Sequence, residues 1–132
     1  MNIKEIVTFP VQLQYVETLS VRAEKHSSEV RQEFNISAGI KGEVIDKNTG
    51  KSTIKIQVCN DDFFIEEVKT GIFHFMEDIN DEEAAVHFME VQGIRILWSY
   101  IREDLYSISS KMLEKPIMIP TIDVMKTLEN AQ

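Results

Sequence analysis

The apolar residues of this chain change their period once along its length, and that change limits the fold more than any other feature. From Leu13 the odd positions Leu13, Tyr15, Leu19, Val21 and Ala23 alternate with Gln14, Thr18, Ser20, Arg22 and Glu24, with Glu17 and Val16 as exceptions. Side chains two apart share one side of a strand, so this predicts a sheet with one buried face. Phe34, Ile36, Ala38, Ile40, Gly42 and Val44 repeat the pattern, as do Ile54, Ile56 and Val58. Between these runs Asp46-Lys47-Asn48-Thr49-Gly50 supplies turn residues, with Gly50 available for a positive φ, so the pair is expected to form a hairpin. Residues 25–32 are polar and suit a loop, and Asn60-Asp61-Asp62 suits a second turn. Residues 63–76 form a fourth strand, with Gly71 as a bulge or twist point. Strands joined by short polar turns predict an antiparallel meander.

From Ile94 the step lengthens. Leu97, Trp98, Ile101, Leu105, Ile108 and Met112 recur at helical spacing and mark one face of a long helix. A second strip, Ser99, Tyr100, Glu103, Ser107 and Ser110, is small and mildly polar. Pro116 ends the helix, because the residue before a proline is pushed out of the α region. Residues 115–122 are then extended and apolar between Pro116 and Pro120, and Asp123 can cap a short last helix carrying Val124, Met125 and Leu128. Strands first and helices last define an α+β fold. The 132 residues suit one domain over 1–132, with one modest core.

Composition narrows the function. Lys+Arg 14 against Asp+Glu 22 gives a net charge of −8, the wrong sign for coating phosphate backbones, so no nucleic-acid partner is expected. The single cysteine, Cys59, excludes an intramolecular disulfide and a Cys-rich zinc site. Residues 1–8 carry Lys4 and Glu5 and no signal-peptide core, and no stretch approaches the ~20 apolar residues of a membrane span. A soluble, cytoplasmic chain without membrane insertion is expected.

Catalysis finds no support in the residue pattern. His26, His74 and His87 sit in no metal-ligand spacing. His74 lies between Phe73 and Phe75 in a strand and points away from both, which suits a structural histidine better than a general base. Cys59 has no cationic neighbour within two residues to lower its pKa. No nucleophile elbow and no Gly-rich phosphate loop occurs. No enzyme activity, cofactor or metal is expected. The acidic residues Glu77, Asp78, Asp81, Glu82, Glu83 and Glu90 run without a Lys or Arg, either as a solvated loop entering a helix or as a docking face for a basic partner. Ile117, Met118 and Ile119 cannot hide an apolar face by helical periodicity. They either pack on the core or line an apolar groove, a use that suits the adaptable side chains of Met118 and Met125.

Several blocks resemble the SecB protein-export chaperones. Leu97-Trp98-Ser99-Tyr100-Ile101-Arg102-Glu103 resembles the family's L-F-P-Y-x-R-E block. In register after it, residues 115–124 resemble P-P-L-x-L-P-P-[IV]-N-F. Gly71-Ile72-Phe73 resembles the G-[IV]-F at the end of a family strand, with Glu66 matching an acidic residue, and residues 15–21 are similar to Y-x-K-D-[IV]-S-F. The similarity extends from about Gln14 to Val124.

The resemblance implies a four-stranded antiparallel sheet followed by a long helix and a short C-terminal helix. It also implies assembly as a homotetramer, a dimer of dimers, and ATP-independent binding of unfolded polypeptides or preproteins in apolar grooves. On that reading Ile117, Met118, Ile119, Val124 and Leu128 line the groove with Trp98 as a wall. Ser99, Tyr100, Ser107 and Ser110 pack between subunits, and Glu66 with Phe64 docks a partner. The chain also departs from the family. Thr18 and Arg22 stand where the family has the acids that receive the basic tail of SecA, which weakens that contact. Only eight residues follow Val124, so a tail beyond the last helix is expected to be nearly absent. Ser99 replaces a proline, restores a backbone N–H and lets the helix begin earlier. The expected function is a chaperone that holds unfolded chains, with an adaptor for one dedicated partner, for example an antitoxin, as the alternative. A hotdog-like thioester enzyme is a third class, but it needs its helix wrapped by strands rather than following them.

Overall fold

The computed structural model describes Asn2, Lys4, Glu5 and residues 9–131. The reading of residues 1–8 as free of a leader falls largely outside the described residues. The strands are β1 (Val11–Lys25), β2 (Asn35–Asp46), β3 (Thr49–Cys59) and β4 (Phe63–Phe75). α1 (Glu82–Phe88), a π-helical turn (Met89–Gly93) and α2 (Ile94–Met112) form one helical run, and α3 (Val124–Ala131) follows. This is the expected four-stranded antiparallel sheet, then a long helix, then a short one. The sheet order is β1-β4-β3-β2 with every pair antiparallel. The meander therefore holds only for β2, β3 and β4. β1 lies beside β4, a Greek-key order that makes residues 26–34 cross from one edge of the sheet to the other.

The helical run covers one face. Odd-numbered β4 residues point at it, and Phe63, Ile65 and Phe73 are buried there beside Ile54, Ile56 and Val58 of β3. From α2, Ile94, Leu97, Trp98, Ile101 and Leu105 complete the core, so the periodic stripe in the sequence is the buried stripe. The run begins at Glu82, more than three turns before the apolar stripe that starts at Ile94, and Ser99 lies inside it without a break. Asp81 caps its start by accepting from Ala84 N (3.1 Å), and the acids Glu82 and Glu83 occupy the first turn.

None of the glycines has a positive φ, and Gly42, Gly50, Gly71 and Gly93 act instead by close approach. A Cβ at Gly50 would lie 2.7 Å from Met89 Sδ, so the expected positive-φ turn at Gly50 is replaced by packing. At Gly93 a Cβ would sit 1.8 Å from Ser52 Oγ, the hydroxyl that donates to Met89 O (2.7 Å) and satisfies a carbonyl of the π-turn. Gly71 is not a bulge. Leu97 Cδ2 would be 3.0 Å from its Cβ, and the register shifts fall instead in β1, at Leu13/Tyr15 and Thr18/Ser20.

Those two shifts change the first strand. Each slips the alternation by one residue, so Tyr15 pairs with Ile72 on the outer face while Val16 turns inward opposite Gly71. The expected buried face of β1 is not formed within one chain. Val11, Leu13 and Val16 are half-buried, and the rest of the strand is exposed. α2 lies mainly over β3 and β4 and reaches β1 only in part, where Val16 packs against the core.

Candidate functional site

The crossing loop and the proline-bounded segment meet at the end of the sheet where β4 begins, and enclose a groove of about 420 Å3. Val30 and Phe34 of the loop form one wall, both half-buried. Phe63 and Ile117 are the buried floor, Leu113 is half-buried, and Met118 stands at the lip with 73% of its surface exposed. Lys25, Lys115, Glu29 and Glu114 ring it with mixed charge.

Both walls are pinned. Arg31 donates from its backbone N (2.9 Å) and Nε (3.2 Å) to Asp62 and from Nη2 to Asp61 (3.0 Å). These bonds hold the Asp62 carboxyl below the usual carboxylate range and raise the Arg31 guanidinium. Asn60 Nδ2 donates to the carbonyls of Arg31 (3.1 Å) and Glu33 (2.8 Å), tying the loop to the β3–β4 turn. On the other side, three α2 side chains give the extended segment the hydrogen bonds it lacks outside a sheet. Ile117 N donates to Ser109 Oγ (2.7 Å), Arg102 Nε donates to Ile119 O (3.1 Å), and Trp98 Nε1 donates to Pro120 O (2.9 Å). The segment thus runs antiparallel to α2, with Ile117 and Ile119 buried and Met118 facing out.

The residues singled out in the sequence divide accordingly. Ile117, Ile119 and Val124 are buried, Leu128 is half-buried, and Trp98 is 7% exposed behind the segment; of these only Ile117 lines the groove. Of the apolar segment only Met118 offers its side chain, with Met125 exposed at 51% on α3. Asp123 caps α3 as expected, accepting from Lys126 N (3.1 Å). Ser99, Tyr100, Ser107 and Ser110 all lie exposed on α2. Glu66 accepts from Gln57 Nε2 (2.6 Å) 3.7 Å from Lys55 Nζ, and the Arg22 guanidinium lies 4.7 Å over the Phe64 ring, so this pair sits on the uncovered outer face. Val30, Phe34, Phe63 and Leu113 were missed, because a groove between distant segments leaves no spacing in the sequence.

A second feature lies under α2. Glu67 and Lys69 occupy inward positions of β4, and Lys69 Nζ lies 3.5 Å from Glu67 and hydrogen-bonds Asp104 of α2. Glu67 is 0% exposed and neither carboxylate oxygen has a hydrogen-bond partner. Burial first, then the neighbouring Asp104 carboxyl, push Glu67 up to about 8, against the weaker pull of Lys69. Among the described residues no group of three or more His, Cys, Asp or Glu could hold a metal ion, and no helix is long and apolar enough to cross a membrane.

This architecture is the fold of the SecB-like chaperones. It is similar to the Mycobacterium tuberculosis SecB-like chaperone Rv1957, solved in complex with a ChAD peptide from the HigA1 antitoxin Rv1956, with a TM-score of 0.72 and 15% identity over 86% of this chain and 88% of that one. A Streptococcus agalactiae protein of unknown function matches with a TM-score of 0.57 and 13% identity, over 86% of this chain and 99% of that one. No family model and no curated protein matches the sequence.

Proposed function

We propose that this chain is a non-catalytic polypeptide-binding protein that holds one dedicated partner segment, as an adaptor on the SecB-like scaffold. The observation that carries this reading is the pinned groove with Met118 at its lip, on a fold whose solved relative is a chaperone holding an antitoxin peptide. Two anchored walls define a fixed pocket, and a fixed pocket favours one sequence over many. Met118 makes the first contact, Val30 and Phe34 close on the bound side chain, and Ile117, Ile119, Val124, Leu128 and Trp98 keep the wall rigid from behind. Self-association through the exposed α2 strip, with Ser99, Tyr100, Ser107 and Ser110 in the contact, would repeat the groove and raise avidity. Glu66 and Phe64 offer the outer face to a further partner.

A general holdase is the second reading, favoured by the flexible methionines Met118 and Met125 beside the groove. One experiment separates the two. Labelled peptides carrying two or three large apolar residues are titrated against the chain, and light scattering follows unrelated proteins diluted from denaturant. The adaptor gives one tight peptide and no general suppression, and the holdase suppresses aggregation of several proteins near stoichiometry. In either case Met118→Asp weakens binding about tenfold to a hundredfold, the equivalent of one buried side chain. Absence of both peptide binding and suppression overturns both readings.

A further inference from the structure

The far end of the sheet carries a second apolar pocket. The groove sits on Phe63, the first residue of β4, and this pocket sits on Phe75, the last, roughly 40 Å away along the strand. Its volume is about 380 Å3, within the roughly 300–1,000 Å3 of ligand pockets. Val11, Phe75, Ala85 and Phe88 line it, and the Phe88 ring meets Phe75 edge-to-face (5.9 Å) and stacks on Phe9 (5.7 Å). Met76 on the rim is 66% exposed and Phe9 is 58% exposed; among the described large apolar residues only Met118 is more exposed than these two. The loop over the pocket is tied on both sides. Met76 N donates to Pro10 O (3.0 Å) just ahead of β1, and Ile79 N donates to Lys47 O (2.6 Å) in the β2–β3 turn. Collapse of this loop onto Phe75 and Phe88 would break those backbone bonds, so the pocket is preformed.

The rim sets the charge of what can enter. Glu77, Asp78 and Asp81 line the pocket, all three exposed, and no Lys or Arg lines it with them. Asp81 is accounted for by its cap on α1. Glu77 and Asp78 precede the helix, and among the described residues neither takes part in a salt bridge. We infer that this pocket binds a basic peptide segment of a partner protein, which inserts one aromatic or large aliphatic side chain against Phe75 and Phe88 and sets flanking Lys or Arg residues beside Glu77 and Asp78. The carboxylates repel an anionic ligand, and a ligand with charge alone would leave Phe9 and Met76 in water. The face of an exposed phenylalanine such as Phe9 also attracts a cation, through the negative charge of its ring face. This site is separate from the groove around Met118, whose rim carries both signs of charge, and the inference does not depend on what that groove holds.

The test titrates the full chain with a short labelled peptide carrying one phenylalanine between pairs of lysines, read by fluorescence anisotropy. Two further peptides replace the phenylalanine by alanine or the lysines by glutamates. The lysine–phenylalanine peptide should bind and lose about tenfold or more in affinity when its phenylalanine becomes alanine. Glu77→Gln combined with Asp78→Asn should weaken binding about threefold to tenfold, and added salt should act in the same direction. Both side chains are exposed, so the variant keeps its fold. On titration, amide NMR shifts should concentrate between residues 76 and 88. Equal binding of the alanine peptide overturns the pocket and leaves only a charged surface. Equal binding of the glutamate peptide, or undiminished binding by the double variant, overturns the basic partner. Shifts concentrated at residues 113–118 place the peptide in the groove and overturn the second site, as does the absence of binding at millimolar peptide.

Discussion

β4 and β1 are neighbours in one sheet, and each alternates apolar and polar residues, yet their fates differ. In β4 the inward residues Phe63, Ile65 and Phe73 are at most 1% exposed, whereas in β1 Tyr15, Leu19 and Val21 remain about half exposed. The alternation of a strand therefore states which side is apolar and leaves open what covers it. For β4 the cover is α2 of the same chain. For β1 the helix gives only partial cover, and two bulges divide the apolar residues between both faces. β4 also carries its polar exceptions inside, at Glu67 and Lys69, while those of β1 are solvated.

The largest expected effect comes from the covered strand. Phe73→Ala empties a fully buried site and should cost about 3–5 kcal/mol of stability in urea denaturation. Leu13, opposite Phe73 in the register and only half-buried, should cost clearly less when changed to alanine. Equal losses at the two positions would break the contrast between the strands.

That contrast was half legible. The period change, the α2 stripe, the Asp123 cap and the four strands could be read because each is local, fixed by neighbours within a few residues. The order β1-β4-β3-β2 was not, since a meander and a Greek key share the same alternations and differ only in where residues 26–34 lead. Gly50 and Gly93 serve contacts with Met89 and Ser52, partners that lie about forty residues away along the chain. Of the groove, the segment around Met118 was marked by its prolines, whereas Val30 and Phe34 came into reach only through the Arg31 and Asn60 bonds. Glu67 was missed, because its burial follows from the register of β4 and its role from Asp104 arriving on α2.

The buried polar exceptions of β4 give the next effect. Burial raises the pKa of Glu67 in the folded chain from the ordinary 4.5 to about 8, so the folded chain binds more protons than the unfolded one between those values. This contribution to stability is fully present below about pH 4.5, declines by up to ~1.4 kcal/mol per pH unit, and is gone above about pH 8. Urea midpoints of dilute protein at pH 5, 6, 7 and 8 should fall accordingly, and Glu67→Gln should remove most of the slope. A slope unchanged in the variant would place the titration elsewhere and leave β4 no more pH-sensitive than β1.

The footprint that covers β4 and reaches β1 only in part depends on how closely the helical run sits on β3. Gly93→Ala drives a methyl into Ser52 Oγ and displaces the π-turn, with an expected cost of about 1–3 kcal/mol in the same denaturation measurement. Gly93→Ala combined with Ser52→Ala should recover part of that loss. The second change removes the colliding hydroxyl, at the expense of the bond to Met89 O.

The smallest effect on stability carries the most information about β1. Leu19→Ala and Val21→Ala remove side chains that are already about half in water, so each should change the stability of dilute, dissociated chain by less than ~0.5 kcal/mol. If a second copy covers this strand, the same changes should weaken association by tenfold or more, because the side chains are then buried in the contact. Ultracentrifugation beside urea denaturation reads both quantities on the same samples. Losses of association without losses of stability would mean that β1 keeps the alternation of a core strand because its core lies in the other subunit. Losses of neither would leave Leu19 and Val21 as isolated apolar residues on a solvated edge, where the charges of Arg22, Glu24 and Lys25 are enough to keep strands from pairing.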